Sequence, residues 1–261
     1  MGRRLVGLAT VGVLVFLYVP ILIIFLYAFN GDRGQSWPIT NWTIEWFRAA
    51  FDNPGLRDAV VLSLEAAIGA TVIAVVLGTL ASFAVHRFRF FGRETVSFIL
   101  VLPLALPGIV TGMALNSTIN SFGIPFGLAT IIIGHATFCV VVVYNNVVAR
   151  LRRTSRTIEE ASMDLGADTL QTFRHVTLPV IAGAVLAGGL LAFALSFDEI
   201  IVTTFTAGTE STLPIWILAN LRLPNQRPIV NVVAVFMIVL SAIPVYLSYR
   251  LSSDSTGGVT R

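Results

Sequence analysis

Few side chains in this sequence have chemistry to offer, and their types already exclude much. All 17 basic residues are arginine. A phosphate-binding P-loop uses a lysine to reach the nucleotide phosphates, and a Schiff-base enzyme uses one as its amine. A chain without lysine performs neither alone. The single cysteine, Cys139, lies in an apolar run, which excludes an internal disulfide and a thiolate-rich metal site. A small buried apolar role is expected for it. His86, His135 and His175 lack the close helical spacing of a zinc site. His135 is expected to be buried and hydrogen-bonded. A membrane serine protease needs a serine in a Gly-x-Ser-Gly-like setting and a facing histidine. The one Gly-x-Ser here, Gly34-Gln35-Ser36, has no glycine after it.

The remaining candidates are carboxylates in apolar surroundings. The chain is 56% hydrophobic and 12% charged, with mean hydropathy +0.84. Soluble domains hold about 25% charged residues, so an integral membrane protein is expected. Six runs reach the length of about 20 apolar residues that a bilayer requires. They cover 5–29, 59–85, 95–116, 127–149, 180–206 and 229–249. Glu65 falls in the second run, and Asp198 and Glu199 fall in the fifth. Charges inside a membrane are costly and point to function. Asp198 and Glu199 sit about 18 residues along their span, roughly 27 Å at 1.5 Å per residue. Glu65 lies about seven residues below the outer end of the second span, so all three acids fall in the outer half of the membrane, where a cluster suits a cationic substrate. The competing reading is that they pair with arginines or cap helix ends. Pro103, Pro107, Gly108 and Gly112 interrupt the third run, as happens where backbone lines a cavity or packs closely. Pro107 is taken as a path candidate.

The arginines orient the spans. With the N-terminus in the cytoplasm, twelve arginines lie inside and five outside, so both termini are expected to be cytoplasmic. That asymmetry explains the net charge of +3 without a nucleic-acid surface. The first run is too long for a signal-peptide core and reads as a retained helix. The outer loop 30–58 carries Trp42, Trp46 and Phe47 beside Glu45 and Arg48, which suggests a short helix at the membrane surface. The tail 252–261 is small and polar, with disorder expected. One all-α domain over 1–261 is the expected organisation.

The inner loop 150–179 is the most polar part of the chain. Thr157 followed by Glu160 reads as a capping box. Ile158, Ala161, Met163 and Leu165 give a short apolar side. Gly166 permits a left-handed turn that ends the helix, a second short helix follows, and Pro179 opens the fifth span. A rigid helical element between two spans suits docking into a groove of a partner.

This loop resembles the Glu-Ala-Ala signature of permeases in the ATP-binding-cassette (ABC) importer superfamily. It shows Glu160-Ala161-Ser162, then Gly166, Val176 and Leu178-Pro179 at every expected spacing. Ser162 replaces the second alanine, and Val176 replaces isoleucine. The resemblance implies a MetI-like type I importer permease fold. It implies that Glu160 and Gly166 are the contact and turn residues of a coupling helix seated in an ATPase subunit. The segments 102–112, 134–138, 148–151 and 195–202 are similar to the spermidine/putrescine-type branch, with likeness from Tyr18 to Pro244. A polyamine importer follows as the expectation, with 4-aminobutyrate or another small amine as the alternative. The implied partners are a second permease, two ATPase subunits that hold the ATP and magnesium, and a substrate-binding protein outside. No cofactor is expected in this chain. A secondary transporter driven by an ion gradient would explain the acids but not the matched loop.

Overall fold

Backbone polar groups in lipid must be satisfied within the segment, so long apolar runs close into helices. A computed structural model describes the backbone of residues 2–257 and the side chains of 4–250. Among the described residues the chain is helical throughout, with one isolated bridge between Asn30 and Trp42. The helices are α1 (Gly2–Tyr27), α2 (Glu45–Phe51), α3 (Pro54–Arg87), α4 (Arg93–Ala105), α5 (Gly108–Ser121), α6 (Leu128–Arg152), α7 (Thr157–Asp164), α8 (Thr169–Thr172), α9 (Leu178–Phe197), α10 (Ile201–Thr206), α11 (Leu213–Asn220) and α12 (Arg227–Gly257). A π-helical turn, Phe173–Thr177, joins α8 to α9. Residues 258–261 of the expected tail lie outside the described residues.

Five helical segments are long and apolar enough to cross a membrane, and α4 with α5 makes a sixth if the bent pair counts as one span. This is an all-α polytopic membrane fold. Two expected spans are not continuous helices. The third breaks between α4 and α5, whose axes turn by 105°. Pro107 has no N–H to give and holds Leu106 extended at φ −81° and ψ 143°. The fifth breaks after Phe197 and resumes at Ile201. Its acids therefore occupy a gap between helices and not a helix interior.

The chain divides into two compact units, one holding residues up to Ala59 with Leu213–Leu240, the other Val60–Thr212 with residues from Ser241 onward. In the first unit α1 is almost wholly exposed, as a helix facing lipid or another subunit would be. The loop after it is built around Asn30, which is 1% exposed. Its Nδ2 donates to Ser36 O, its Oδ1 accepts from Asp32 N, and its carbonyl accepts from Trp46 Nε1. The Ser36 hydroxyl and then the Gly34 N–H hold the Asp32 carboxyl below the usual carboxylate range. The expected short helix is α2. Phe29, Phe47 and Phe236 form an aromatic row with centroid spacings of 5.0 and 6.2 Å. The helix α11 lies in a stretch expected to be loop.

In the second unit α6 is the most buried element. Small residues let its neighbours approach, as membrane helix packing requires. A Cβ on Gly78 of α3 would sit 2.9 Å from both the Val140 carbonyl oxygen and Val143 Cβ. Ser82 on α3 donates to Tyr144 O, and the Tyr144 hydroxyl bonds Ser97 on α4 at 2.8 Å. Cys139 is fully buried against α9, its thiol donating to Ala192 O, which bears out the apolar reading.

Candidate functional site

The loop between α6 and α9 folds as expected in outline, but its caps differ. The N-cap of α7 is Arg156, and no Thr157–Glu160 capping box forms. The helix begins one residue early, which makes Thr157 its first residue. The Ser155 hydroxyl takes the Thr157 N–H instead, at 3.2 Å. The capping box appears one helix later. Asp168 accepts from Gln171 N at 2.8 Å, while Gln171 Oε1 accepts from Asp168 N at 3.0 Å. Gly166 has φ +90°, with Gly166 N donating to Met163 O and Ala167 N to Ser162 O. That pair of bonds is a Schellman ending, which favours a residue without a Cβ.

The exposed side of this hairpin is mixed. Glu160 is 53% exposed and, among the described residues, its one ion pair is with Arg156, one turn back, at 3.3 Å. Exposed pairs of this kind contribute about 0.3–0.5 kcal/mol. Leu165 is 90% exposed, and Ile158, Met163 and Leu170 are also open. Ala161 and Leu178-Pro179 are exposed, whereas Ser162 and Val176 are half-buried. Ser162 Oγ bonds Thr172 Oγ1 at 3.1 Å and so joins α7 to α8.

The residue that reasoning from sequence missed is Glu159. It bonds Arg87 at the end of α3 at 2.9 Å, with side-chain exposures of 15% and 10% for acid and base. The same oxygen accepts from Thr177 Oγ1 at 3.1 Å. Neighbours on a helix point about 100° apart, so of two adjacent glutamates only one can face solvent squarely. The arginine ending the preceding inner span was the available signal.

The path acids stand in a different setting. Asp198 is exposed in the α9–α10 gap. Glu199 is half-buried, and its Oε1 accepts from Val202 N at 2.9 Å, which caps α10. Glu65 is exposed on α3. Among the described residues none of the three pairs with an arginine, and Glu65 bonds neither of the others. The gap is held from below by His135, which is 1% exposed. Its Nδ1 meets Ser196 Oγ at 2.7 Å and its Nε2 meets Thr203 Oγ1 at 2.8 Å. Thr203 spends its hydrogen on Glu199 O, so it accepts from Nε2–H, and Ser196 then donates to Nδ1. One neutral histidine thus brackets both sides of the break. His135→Leu leaves the buried Ser196 hydroxyl without its acceptor and takes one donor from Thr203 Oγ1, and should destabilise the protein by about 1–3 kcal/mol. A lowered thermal midpoint in detergent is the expected reading, and an unchanged one would show that the bracket contributes nothing.

Pro107 is exposed at the start of α5. Behind it, α5 lies along α10. Gly112 faces the Phe205 ring, where an added Cβ would come within 2.5 Å, and Asn116 Nδ2 donates to Phe205 O at 2.6 Å. Gly112 therefore serves close packing, whereas a Cβ at Gly108 would meet Ile201 at an ordinary 3.5 Å. Thr130 of α6 donates to Thr206 O at 2.7 Å from the other side. The short helix α10, which follows the acids, is wedged between α5 and α6.

The family described as binding-protein-dependent transport system inner membrane component matches residues 74–256. The putrescine transport system permease protein PotI of Escherichia coli K12 is 34% identical over 245 residues, covering 90% of this chain and 86% of that one. The spermidine/putrescine transport system permease protein PotC of Haemophilus influenzae is 34% identical over 239 residues, covering 91% and 92%. Among solved structures, a chain of a bacterial ABC transporter involved in import of the acidic polysaccharide alginate superposes with a TM-score of 0.72 at 16% identity, covering 97% of each chain. An amino acid ABC transporter solved with histidines gives 0.60 at 15% identity, covering 82% of this chain and 99% of that one. At such identities the structural likeness shows the fold alone.

Proposed function

Because the chain belongs to the family of binding-protein-dependent transport system inner membrane components, we propose that it lines the path of an ATP-driven importer for a small cationic amine, a polyamine of the putrescine or spermidine kind. Membership in the family makes it a transport subunit of an ABC importer, with ATPase and substrate-binding partners. The substrate, the second permease and the inward orientation of both termini are the finer parts of the proposal. The observation that carries it is the pair of polyamine-named relatives, each matched over at least nine-tenths of this chain. The exposed carboxylates of Glu65 on α3 and Asp198 in the α9–α10 gap support the same reading, since an acid within a membrane span that pairs with no arginine among the described residues suits a passing cation.

The α7–α8 hairpin docks on the ATPase. Glu160 offers a charge whose one partner among the described residues is an exposed arginine, Leu165 and Leu170 offer apolar contact, and Gly166 sets the turn. Val176, Leu178 and Pro179 join this element to α9. ATP and magnesium stay on the partner, and this chain contributes motion.

Asp198→Asn removes an open charge without removing a cap, so it should raise the half-saturating concentration for a polyamine about tenfold, the effect of 1.4 kcal/mol. Initial rates of labelled putrescine uptake into cells expressing the whole importer measure this. An unchanged half-saturation with Asp198→Asn and with Glu65→Gln would remove these acids from the path. Strong competition by 4-aminobutyrate and none by spermidine would redirect the substrate to that amine.

A further inference from the structure

Glu159 lies beside the proposed docking residue yet points the other way, into the protein. Its side chain is 15% exposed and that of Arg87 is 10%. One carboxylate oxygen takes the Arg87 Nη2 of α3 and the Thr177 hydroxyl of the π-helical turn that feeds α9. Three elements therefore meet at a single atom. A second contact runs parallel to it, because Phe83 of α3 packs edge-on to Phe173 in the π-helical turn at 5.3 Å. Arg150 of α6 donates to Val180 O at the base of α9. The hairpin itself is held together by Ser162 of α7 and Thr172 at the end of α8, the residue before the π-helical turn. A π-helical turn is rare and often marks a functional position inside a helix. Here it turns Thr177 inward, to 4% exposure, where it meets the carboxylate.

We infer that Glu159 is the positioning residue of coupling: it locks α7 to α3 and α9, so that displacement of the docked hairpin reaches two spans together. The inference rests on the docking role proposed for the hairpin. The contrast between the two neighbouring acids is its basis. Glu160 has a weak, exposed partner and is free to meet another protein. Glu159 has two inward partners and is not. Removing one member of a buried ion pair leaves the other charge uncompensated, so Arg87 would lose its hold on α7 when Glu159 is neutralised.

The test uses the complete importer in proteoliposomes, with Asp198→Cys as a reporter at the α9–α10 gap. Cys139, the one cysteine of this chain, is fully buried, and the partner subunits are used in cysteine-free form. Labelling by a water-soluble thiol reagent is followed with and without ATP and vanadate. In the parent, nucleotide trapping should change the labelling rate at least about fivefold, a common size for coupling between sites. Glu159→Gln, Glu159→Arg and Arg87→Glu should each abolish that response while nucleotide is still trapped. The double exchange Arg87→Glu with Glu159→Arg should restore it, which a merely structural role would not do. If the single variants fail to assemble, Thr177→Val carries the test and should weaken the response at least about twofold, within the range of mutational coupling effects. A full response in Glu159→Gln or in Thr177→Val would overturn the inference, as would a double exchange that assembles and stays silent. A parent that traps nucleotide without any reporter response would overturn transmission to α9. A parent that recruits no ATPase would overturn the proposed function first, and the coupling role with it.

Discussion

Glu160→Arg should abolish ATP-driven uptake while the protein still reaches the membrane. Within its own chain this residue contributes little. Its side chain and that of Arg156 are 53% and 64% exposed, and such a pair contributes about 0–1 kcal/mol. The fold should therefore survive the change. At an interface the balance differs, because truncating one member of a desolvated charge pair costs about 2–5 kcal/mol. Even the lower figure is about a 30-fold loss, and reversal of charge adds repulsion. Membrane fractionation, ATPase co-purification and uptake of labelled substrate separate the two effects. Normal uptake with Glu160→Arg would remove this residue from the coupling surface.

A large loss of folded protein is expected from Gly78→Leu. The space beside Gly78 is filled by backbone, with the Val140 carbonyl oxygen 2.9 Å and the Tyr144 nitrogen 3.1 Å from where a Cβ would stand. A side-chain tip can swing aside, but a helix backbone can yield only by moving the helix. Overpacking costs about 1–3 kcal/mol in ordinary cores. Gly78→Ala should lie near the upper end of that range, and Gly78→Leu should separate α3 from α6. The Ser82 bond to Tyr144 O, one turn along, would be lost with it. Size-exclusion profiles and thermal midpoints of the detergent-purified protein report the damage. A Gly78→Leu variant with a native midpoint would show that α3 and α6 are not held this closely.

What could be read beforehand divides along physical lines. The spans were legible because burying a helix in lipid requires length and apolarity, and both are properties of a window of sequence. The turn at Gly166 was legible because few residues tolerate its backbone angles. The capping box was misplaced because two candidates, at Thr157 and at Asp168, satisfy the same spacing, and only the start of the helix decides between them. The breaks after Ala105 and after Phe197 depend on tertiary support. Proline marks the first, but the second has no breaker residue and is held by His135 from a helix about 60 positions earlier in the chain. Glu159 escaped notice for a related reason. Its partner Arg87 belongs to another span, and no local pattern tells which of two adjacent glutamates turns inward.

The central claim, that this chain is the path of an ATP-driven polyamine importer, is tested most directly by uptake. Cells lacking their other polyamine importers would receive this permease with its second permease, ATPase and binding protein, and accumulation of labelled putrescine would be followed. Uptake that stops when ATP is depleted with the ion gradient held, and that spermidine competes, is the expected result. Uptake that persists without ATP and collapses with the gradient would contradict the claim.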